Sequence, residues 1–331
     1  MTSDREQGTG GDLVATLIRT AGRRADPPAD AYRAVLAAAE DTWQRKVGRR
    51  RHWRVGVGIA AAFVLLTAGA ALLRVVVLPM MAPAEIARVD RVGGGVATRP
   101  AGAGAWVPLV AARRPLHAGT RLRTGPDGRV DLRLEGGVSL RLAVMTEVEL
   151  HAPDLIRLQR GAVYADTGSA GPGGIVVVTP AGIARDLGTQ FELRYAGDVL
   201  RLRVREGRVS LQRDAGELVA AAGEQLTIDT AGGVTRGNIA RDDPDWAWAE
   251  TIAPVPDFND QSVAVLLEWV ARETGRPVHY ADAAAEQRAA SVILHGRVGP
   301  LAPLEALGVL LSTTDLTYEI LPDGTIEVRY Q

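Results

Sequence analysis

"FELRYAGDVLRLRVREGRVSLQ", residues 191–212, decides how most of the chain is built. Phe191, Leu193 and Tyr195 alternate with polar residues. After Ala196-Gly197-Asp198 the pattern resumes at Leu200, Leu202 and Val204, and after Glu206-Gly207 at Val209 and Leu211. Side chains of an extended strand point to opposite faces in turn, so a period of two puts one apolar set on one face. Upstream, Val130, Leu132 and Leu134 alternate with charged residues, and Val138, Leu140 and Leu142 do so after "EGG" at 135–137. Gly-rich turns about every eight to twelve residues make this an all-β unit of short strands, assigned to 107–235. The arginines and glutamates between the apolar positions are read as solvated strand faces. "GIVVVTP", residues 174–180, is apolar at both parities and predicts a central strand.

Before this unit stands "RRRHWRVGVGIAAAFVLLTAGAALLRVVVLP", residues 49–79. Val55 to Leu73 carry no charge, and roughly 20 apolar residues span a hydrocarbon core about 30 Å thick. Arg74 is near the end, where its head can reach the interface, and Trp53 sits at the entrance. A core helix would show a polar face. A cleaved leader would begin at the N-terminus, although "APA" at 82–84 resembles a cleavage site. The run therefore predicts one transmembrane helix over 54–78. Arg45, Lys46, Arg49, Arg50, Arg51 and Arg54 precede it, and basic residues are thinner after it. The positive-inside rule then places 1–53 in the cytoplasm and the rest outside.

Within 1–53, Val14, Leu17, Ile18 and Ala21 form one helical stripe, and "RRADPPAD" interrupts it. Tyr32, Val35, Leu36, Ala39, Trp43 and Val47 form a second. So few large apolar residues bury little on their own. The segment is either a solvated helical hairpin or a partner-binding pair, with Tyr32, Val35, Leu36 and Trp43 as the candidate contact face. Residues 79–106, rich in Pro, Ala and Gly, read as a linker, as do 236–256.

From Asp257 the periodicity turns helical. Val263, Leu266, Leu267, Val270 and Ala271 form a stripe that Gly275 ends and Pro277 bars from continuing. Val292–Leu294 is a short strand, "PLEALGVLL" a helix from Pro303, and "LTYEILPDGTIEVRY" a hairpin turning at Asp323-Gly324. The order strand, helix, strand, strand, helix, strand, strand makes 257–331 a small α+β domain. It has no room for a deep pocket, so its expected contact is a protein. The final strand is read as a sheet edge open to strand addition, with Tyr318, Thr325 and Glu327 as candidate contacts.

There is no cysteine, which excludes disulfides, thiolate metal sites and a cysteine nucleophile. Low lysine with abundant Ala, Arg and Gly suits a GC-rich bacterial genome, and a cysteine-free ectodomain is unremarkable in a bacterial periplasm. The five histidines show no ligand spacing, no G-x-S-x-G appears, and "GGG" at 93–95 lacks a P-loop lysine. No catalytic, cofactor or metal residues are proposed. Net charge near zero argues against direct nucleic-acid binding.

Three segments resemble the FecR domain: "LHAGTRLRTGPDGRVDLRL" (116–134), "LIRLQRGAVYAD" (155–166) and "LGTQFELRYAGDVLRLRVREGRVSLQ" (187–212). Its mark is "GTQF" followed by V-x-E-G-x-V. The C-terminal part resembles the short N-terminal (STN) domain of secretins and TonB-dependent receptors, through Phe258, Leu266, Leu267, Gly275, Leu304, Ala306, Leu307, Leu311, Leu316 and Tyr318. The resemblance implies a single-pass regulator of the bacterial inner membrane with a periplasmic C-terminal half. Such a protein relays a signal from the signalling domain of a TonB-dependent outer-membrane receptor, often a ferric-siderophore importer, to a cytoplasmic ECF-type sigma factor. The N-terminal segment departs from the family's sigma-binding pattern, with Trp43 a weak echo of its tryptophans. The alternative, from another class, is an envelope scaffold that docks a secretin-like or receptor partner without transcriptional output.

Overall fold

The computed structural model describes residues 84–331, apart from 111, 169–173, 187 and 297, and positions 15–17, 19, 20, 28, 30, 33 and 34 of the N-terminal segment. The chain divides into two units, Met1–Ala82 and Pro83–Gln331. In the first, positions 15–17, 19, 20, 30, 33 and 34 are helical, and Leu17 is 67% exposed. The predicted transmembrane helix lies outside the described residues, as do Tyr32, Val35, Leu36 and Trp43. Among the described residues no helix is long and apolar enough to cross a membrane.

In the second unit the alternating segments form strands β1 (Glu85–Gly93), β2 (Val96–Arg99), β3 (Val107–Pro108), β4 (Pro115–His117), β5 (Arg121–Thr124), β6 (Arg129–Leu134), β7 (Ser139–Leu142) and β8 (Glu147–Ala152). They continue as β9 (Leu155–Asp166), β10 (Val176–Thr179), β11 (Gly182–Asp186), β12 (Gln190–Ala196), β13 (Val199–Glu206), β14 (Arg208–Arg213), β15 (Gly216–Ala221), β16 (Glu224–Ile228) and β17 (Val234–Asn238). Pairing arranges them in two layers. Layer A runs β4–β1–β6–β7–β9–β12–β13–β16–β17. Layer B runs β3–β2–β5–β8–β9–β10–β11–β14–β15. The long β9 belongs to both. Its first half pairs with β8 and β10, and its second half, from Gly161, pairs with β7 and β12.

The apolar parity of each strand meets the other layer. Leu132, Leu140, Val163, Phe191, Leu202 and Val204 are wholly buried in one continuous core with Leu122, Val148, Ile156 and Leu211. Burying a side chain of this size contributes roughly 1.5–3 kcal/mol, so the alternation directly encodes the two-layer packing. β10 has neighbours on both sides, as "GIVVVTP" predicts. Only Val177 and Thr179 are buried, however, and Val176 and Val178 remain half-exposed on the outer face.

Residues 79–106 are not a linker throughout, since β1 and β2 lie within them. The alternation of β1 is broken by register shifts between Glu85 and Ala87 and between Val89 and Arg91, which hides the strand from a period-two reading. Residues 236–256 are likewise structured. They carry the end of β17, a 3-10 turn (Pro244–Trp246) and helix α1 (Ala247–Glu250). Asp243 caps the turn by accepting from the Asp245 N–H.

The C-terminal part consists of β18 (Gln261–Ser262), α2 (Val263–Thr274), β19 (Val278–Tyr280), α3 (Ala283–Ser291), β20 (Ile293–Leu294), α4 (Pro303–Leu311), β21 (Leu316–Ile320) and β22 (Ile326–Tyr330). Val263, Leu266, Leu267 and Val270 are buried as the stripe predicts, and Gly275 ends α2 in the left-handed region. Helix α3 is an addition to the predicted order. It buries only Ala285 and Ala289, so it lacks a stripe, and Asp282 caps it. The reading of the final strand as an edge is corrected. β22 pairs in parallel with β19 and antiparallel with β21, so it is the centre of its sheet and β21 is an edge.

Candidate functional site

The outer face of layer A carries Asp131, Ser139, Arg141, Tyr164, Asp166, Gln190, Glu192, Arg203 and Arg205, all at the polar parity of their strands. The sequence reading makes this a solvated face, and the structure buries it. Trp246, wholly buried, lies edge-on to Tyr164 with ring centroids 6.0 Å apart, and Ile239 and Ala249 join them. Helix α2 closes the rest.

Two arginines hold this cover in place. Arg141 on β7 presents its guanidinium to both carboxylate oxygens of Glu273 on α2, at 2.9 and 2.8 Å, and donates to the Ala249 carbonyl at 3.1 Å. Arg205 on β13 donates to the carbonyls of Glu273 (2.6 Å) and Thr274 (3.0 Å). It also reaches the Arg241 carbonyl and the Glu250 carboxylate, at 2.6 and 2.7 Å. The last carbonyls of a helix lack intrahelical partners and carry its negative dipole end. α2 is therefore capped by a cation from the β unit. The same guanidinium stacks over Trp246 at 5.1 Å, and Arg141 stacks over Tyr164 at 5.0 Å.

The surrounding charges follow from burial. Asp131 accepts from Ser139 Oγ at 2.7 Å and lies 3.9 Å from Arg141; burial pushes its carboxyl up to about 6. Burial likewise pushes the Tyr164 phenol up to about 12. Burial opposes the charge of Arg141 too, but Glu273 holds its pKa above the ordinary value. Asp166 resists its own burial and stays below the usual carboxylate range, through Arg272 of α2, the Gly168 N–H and Gln190. Charges so placed cost several kcal/mol each to desolvate, and only paired, hydrogen-bonded ones are sustained. Arg141 and Arg205 meet that condition. The arrangement clamps two folded parts together. Among the described residues no cluster of His, Asp and Glu could hold a metal ion.

Residues 120–210 match the FecR protein family. The matched region contains β5 to β13 and the arginine pair. It also explains its own marks physically. Gly207, of V-x-E-G-x-V, sits at φ +79° with no space for a Cβ against the Gly188 carbonyl, so the two glycine-bearing turns pack backbone to backbone. Thr189 donates its hydroxyl to Asp186 and its N–H to Thr167 Oγ1 (2.7 Å). Gln190 reaches Asp166 (3.0 Å) and the Arg272 carbonyl (3.3 Å), and Phe191 enters the core. No curated protein matches the chain. Two crystal structures of a "putative anti-sigma factor" from Parabacteroides distasonis ATCC 8503, at 2.50 and 1.65 Å, are similar at 15% identity and TM-score 0.35. They cover 64% of this chain, and the chain covers 98% and 99% of theirs.

Of the contact residues chosen from sequence, Tyr318, Thr325 and Glu327 are described, and none of these three lies in the clamp. Tyr318 is half-buried on β21, packed on the C-terminal core near Gly308. Thr325 is in the turn, its N–H bonded to Asp323. Glu327 sits in the central strand and pairs with Arg329 at 2.6 Å. Trp246, in the segment read from sequence as a linker, is interior. Arg141, Arg205 and Glu273 carry no local mark beyond their polar parity. The available signal was "DWAWAE" at 245–250, since two tryptophans in a supposed linker ask for something to cover.

Proposed function

We propose that the chain is a FecR-type regulator that works by binding: a single-pass inner-membrane protein that relays a signal from a TonB-dependent receptor's signalling domain to an ECF-type sigma factor. The observation that carries this reading is the FecR match over residues 120–210. The apolar run with its basic flank supplies the proposed anchor and orientation. Tyr32, Val35, Leu36 and Trp43 are the proposed sigma-factor face. Affinity capture with residues 1–53 tests it: a sigma factor should be retained, and Trp43→Ala with Leu36→Ala should release it. Retention of no sigma factor, with an unchanged transcript profile on deletion, would favour the scaffold alternative.

The receptor contact moves from β22 to β21. Leu321 donates to the Thr325 carbonyl (2.8 Å) and Gln331 to that of Asp315 (3.0 Å). By antiparallel alternation Thr317 and Glu319 spend their groups on β22, so those of Tyr318 and Ile320 face outward. Ile320 is 41% exposed. Ile320→Pro should abolish receptor docking with the domain still folded, whereas Glu327→Pro, in the central strand, should unfold it. Both are read by receptor-domain pull-down and circular dichroism. Docking that survives Ile320→Pro excludes this edge.

A further inference from the structure

β1 follows the apolar run in the sequence, and one of its side chains reaches the C-terminal half. Arg91 donates through Nη1 to the Ala253 carbonyl and through Nη2 to that of Pro300, at 2.9 Å. Those acceptors are far apart in sequence. Ala253 follows helix α1 in the segment that covers layer A, and Pro300 precedes helix α4.

The contact depends on an irregularity in β1. Against β6, Val89 pairs with Leu132 on the core side, and Arg91 pairs with Asp131, leaving Asp90 as the extra residue of a bulge. In regular alternation Arg91 would share the parity of Val89 and face the core. The bulge turns it to the outer face, where the cover lies. There it adjoins Asp131, beyond which stand Arg141 and Glu273 of α2. The same defect that conceals β1 in the sequence thus aims its arginine at the C-terminal domain.

We propose that Arg91 is a positioning residue that couples the C-terminal domain to β1, so that displacing that domain alters the strand leading back toward the apolar run. The relay role rests on the reading above, in which the C-terminal domain receives the signal; the coupling itself does not. A double-mutant cycle measures that coupling.

The test is hydrogen exchange on the full-length chain in detergent micelles. Arg205 touches α2 but not β1. Arg205→Gln should loosen the cover and accelerate exchange of residues 85–93 about tenfold. Arg91→Gln should accelerate it by itself, and Arg205→Gln in that background should add less than about twofold. Arg91→Lys, which keeps the positive charge and a donor nitrogen of similar reach, should restore part of the protection. If Arg205→Gln impairs folding, Glu250→Gln weakens the same contact more gently. Additive effects in β1 would overturn the coupling. A receptor-responsive transcriptional reporter supplies the second readout, and Arg91→Gln should blunt the response while receptor binding is retained. A normal response alongside a non-additive exchange cycle would overturn the relay role. If the wild type gives no response at all, the proposed function fails while the exchange result still decides the coupling.

Discussion

On β5 of layer B, Arg121 meets Glu149 at 3.0 Å with 38% of its side chain exposed. On β7 of layer A, Arg141 meets Glu273 at 2.8 Å with none of its side chain exposed. Both arginines lie at the polar parity of an alternating strand, on the outer face of the same two-layer unit. Their surroundings separate them. Two unit charges about 4 Å apart interact by about 1 kcal/mol in bulk water and about 4 kcal/mol at an effective dielectric of 20. Withdrawal from water also makes the loss of either partner expensive, because the survivor is stranded. Periodicity assigns residues to faces, and the dielectric of each face is fixed by what another part of the chain lays over it.

The largest effect that can test this contrast is at the clamp. Arg205→Ala should lower stability by about 3–5 kcal/mol, as expected when one partner of a buried charge pair is removed. It leaves the Glu250 carboxylate and the carbonyls of Glu273 and Thr274 without their donor. Arg141→Ala should fall in the same range, stranding Glu273. Urea denaturation followed by tryptophan fluorescence reads both, since Trp246 lies under Arg205. Losses below about 1 kcal/mol would mean that the covered face behaves as though solvated. Replacing Arg141 and Glu273 together by Met and Leu should cost much less than either single truncation, because no charge is then stranded.

The contrast also marks what was readable before the structure. Strand parity, the place of Phe191 in the core, the cap at Gly275 and the turn at Asp323-Gly324 all follow from local chemistry. Two register shifts break the period of β1, and alanines bury α3 without forming a stripe, so neither shows in the sequence pattern. The clamp is hidden for a different reason. An arginine beneath a helix C-terminus has the same neighbours in sequence as an arginine in water, and residues 141 and 273 meet only in the tertiary fold. The sequence makes β22 look like an edge because β19, which covers its other side, lies well upstream.

A smaller effect, with its own pH signature, is expected at Asp131. Burial raises its carboxyl from 3.8 to about 6. A raised folded-state value means that its stabilising contribution is full below about pH 4 and is lost as pH rises through about 6. By this group alone, wild-type stability should fall between pH 5 and 7.5. Asp131→Asn still accepts from Ser139 and leaves the Arg141–Glu273 pair intact, and it should flatten that slope. The gain over wild type should be about 1–3 kcal/mol at pH 7.5 and shrink toward pH 5. Asp166 has the opposite sign: its lowered value gives stability above its ordinary pKa that is lost on further acidification. The window from pH 5 to 7.5 is therefore governed by Asp131 rather than Asp166. An unchanged slope in Asp131→Asn would show that water reaches the carboxyl.

The smallest effect belongs to layer B. Arg121→Ala removes a pair whose arginine is 38% exposed and whose carboxylate still reaches solvent, so it should cost no more than about 1 kcal/mol. Glu149 retains His151, 3.5 Å away, as a neighbour. The cost should fall further at 0.5 M salt, where screening acts on exposed charges but scarcely on covered ones. Arg205→Ala should keep its full cost in that salt. Parallel denaturation of the two variants at low and high salt thus compares the faces directly. If Arg121→Ala proves as costly as Arg205→Ala and as insensitive to salt, the outer face of layer B is covered as well. A second copy of the chain or a partner would have to be the cover, and the oligomeric state in that buffer would be the next quantity to measure.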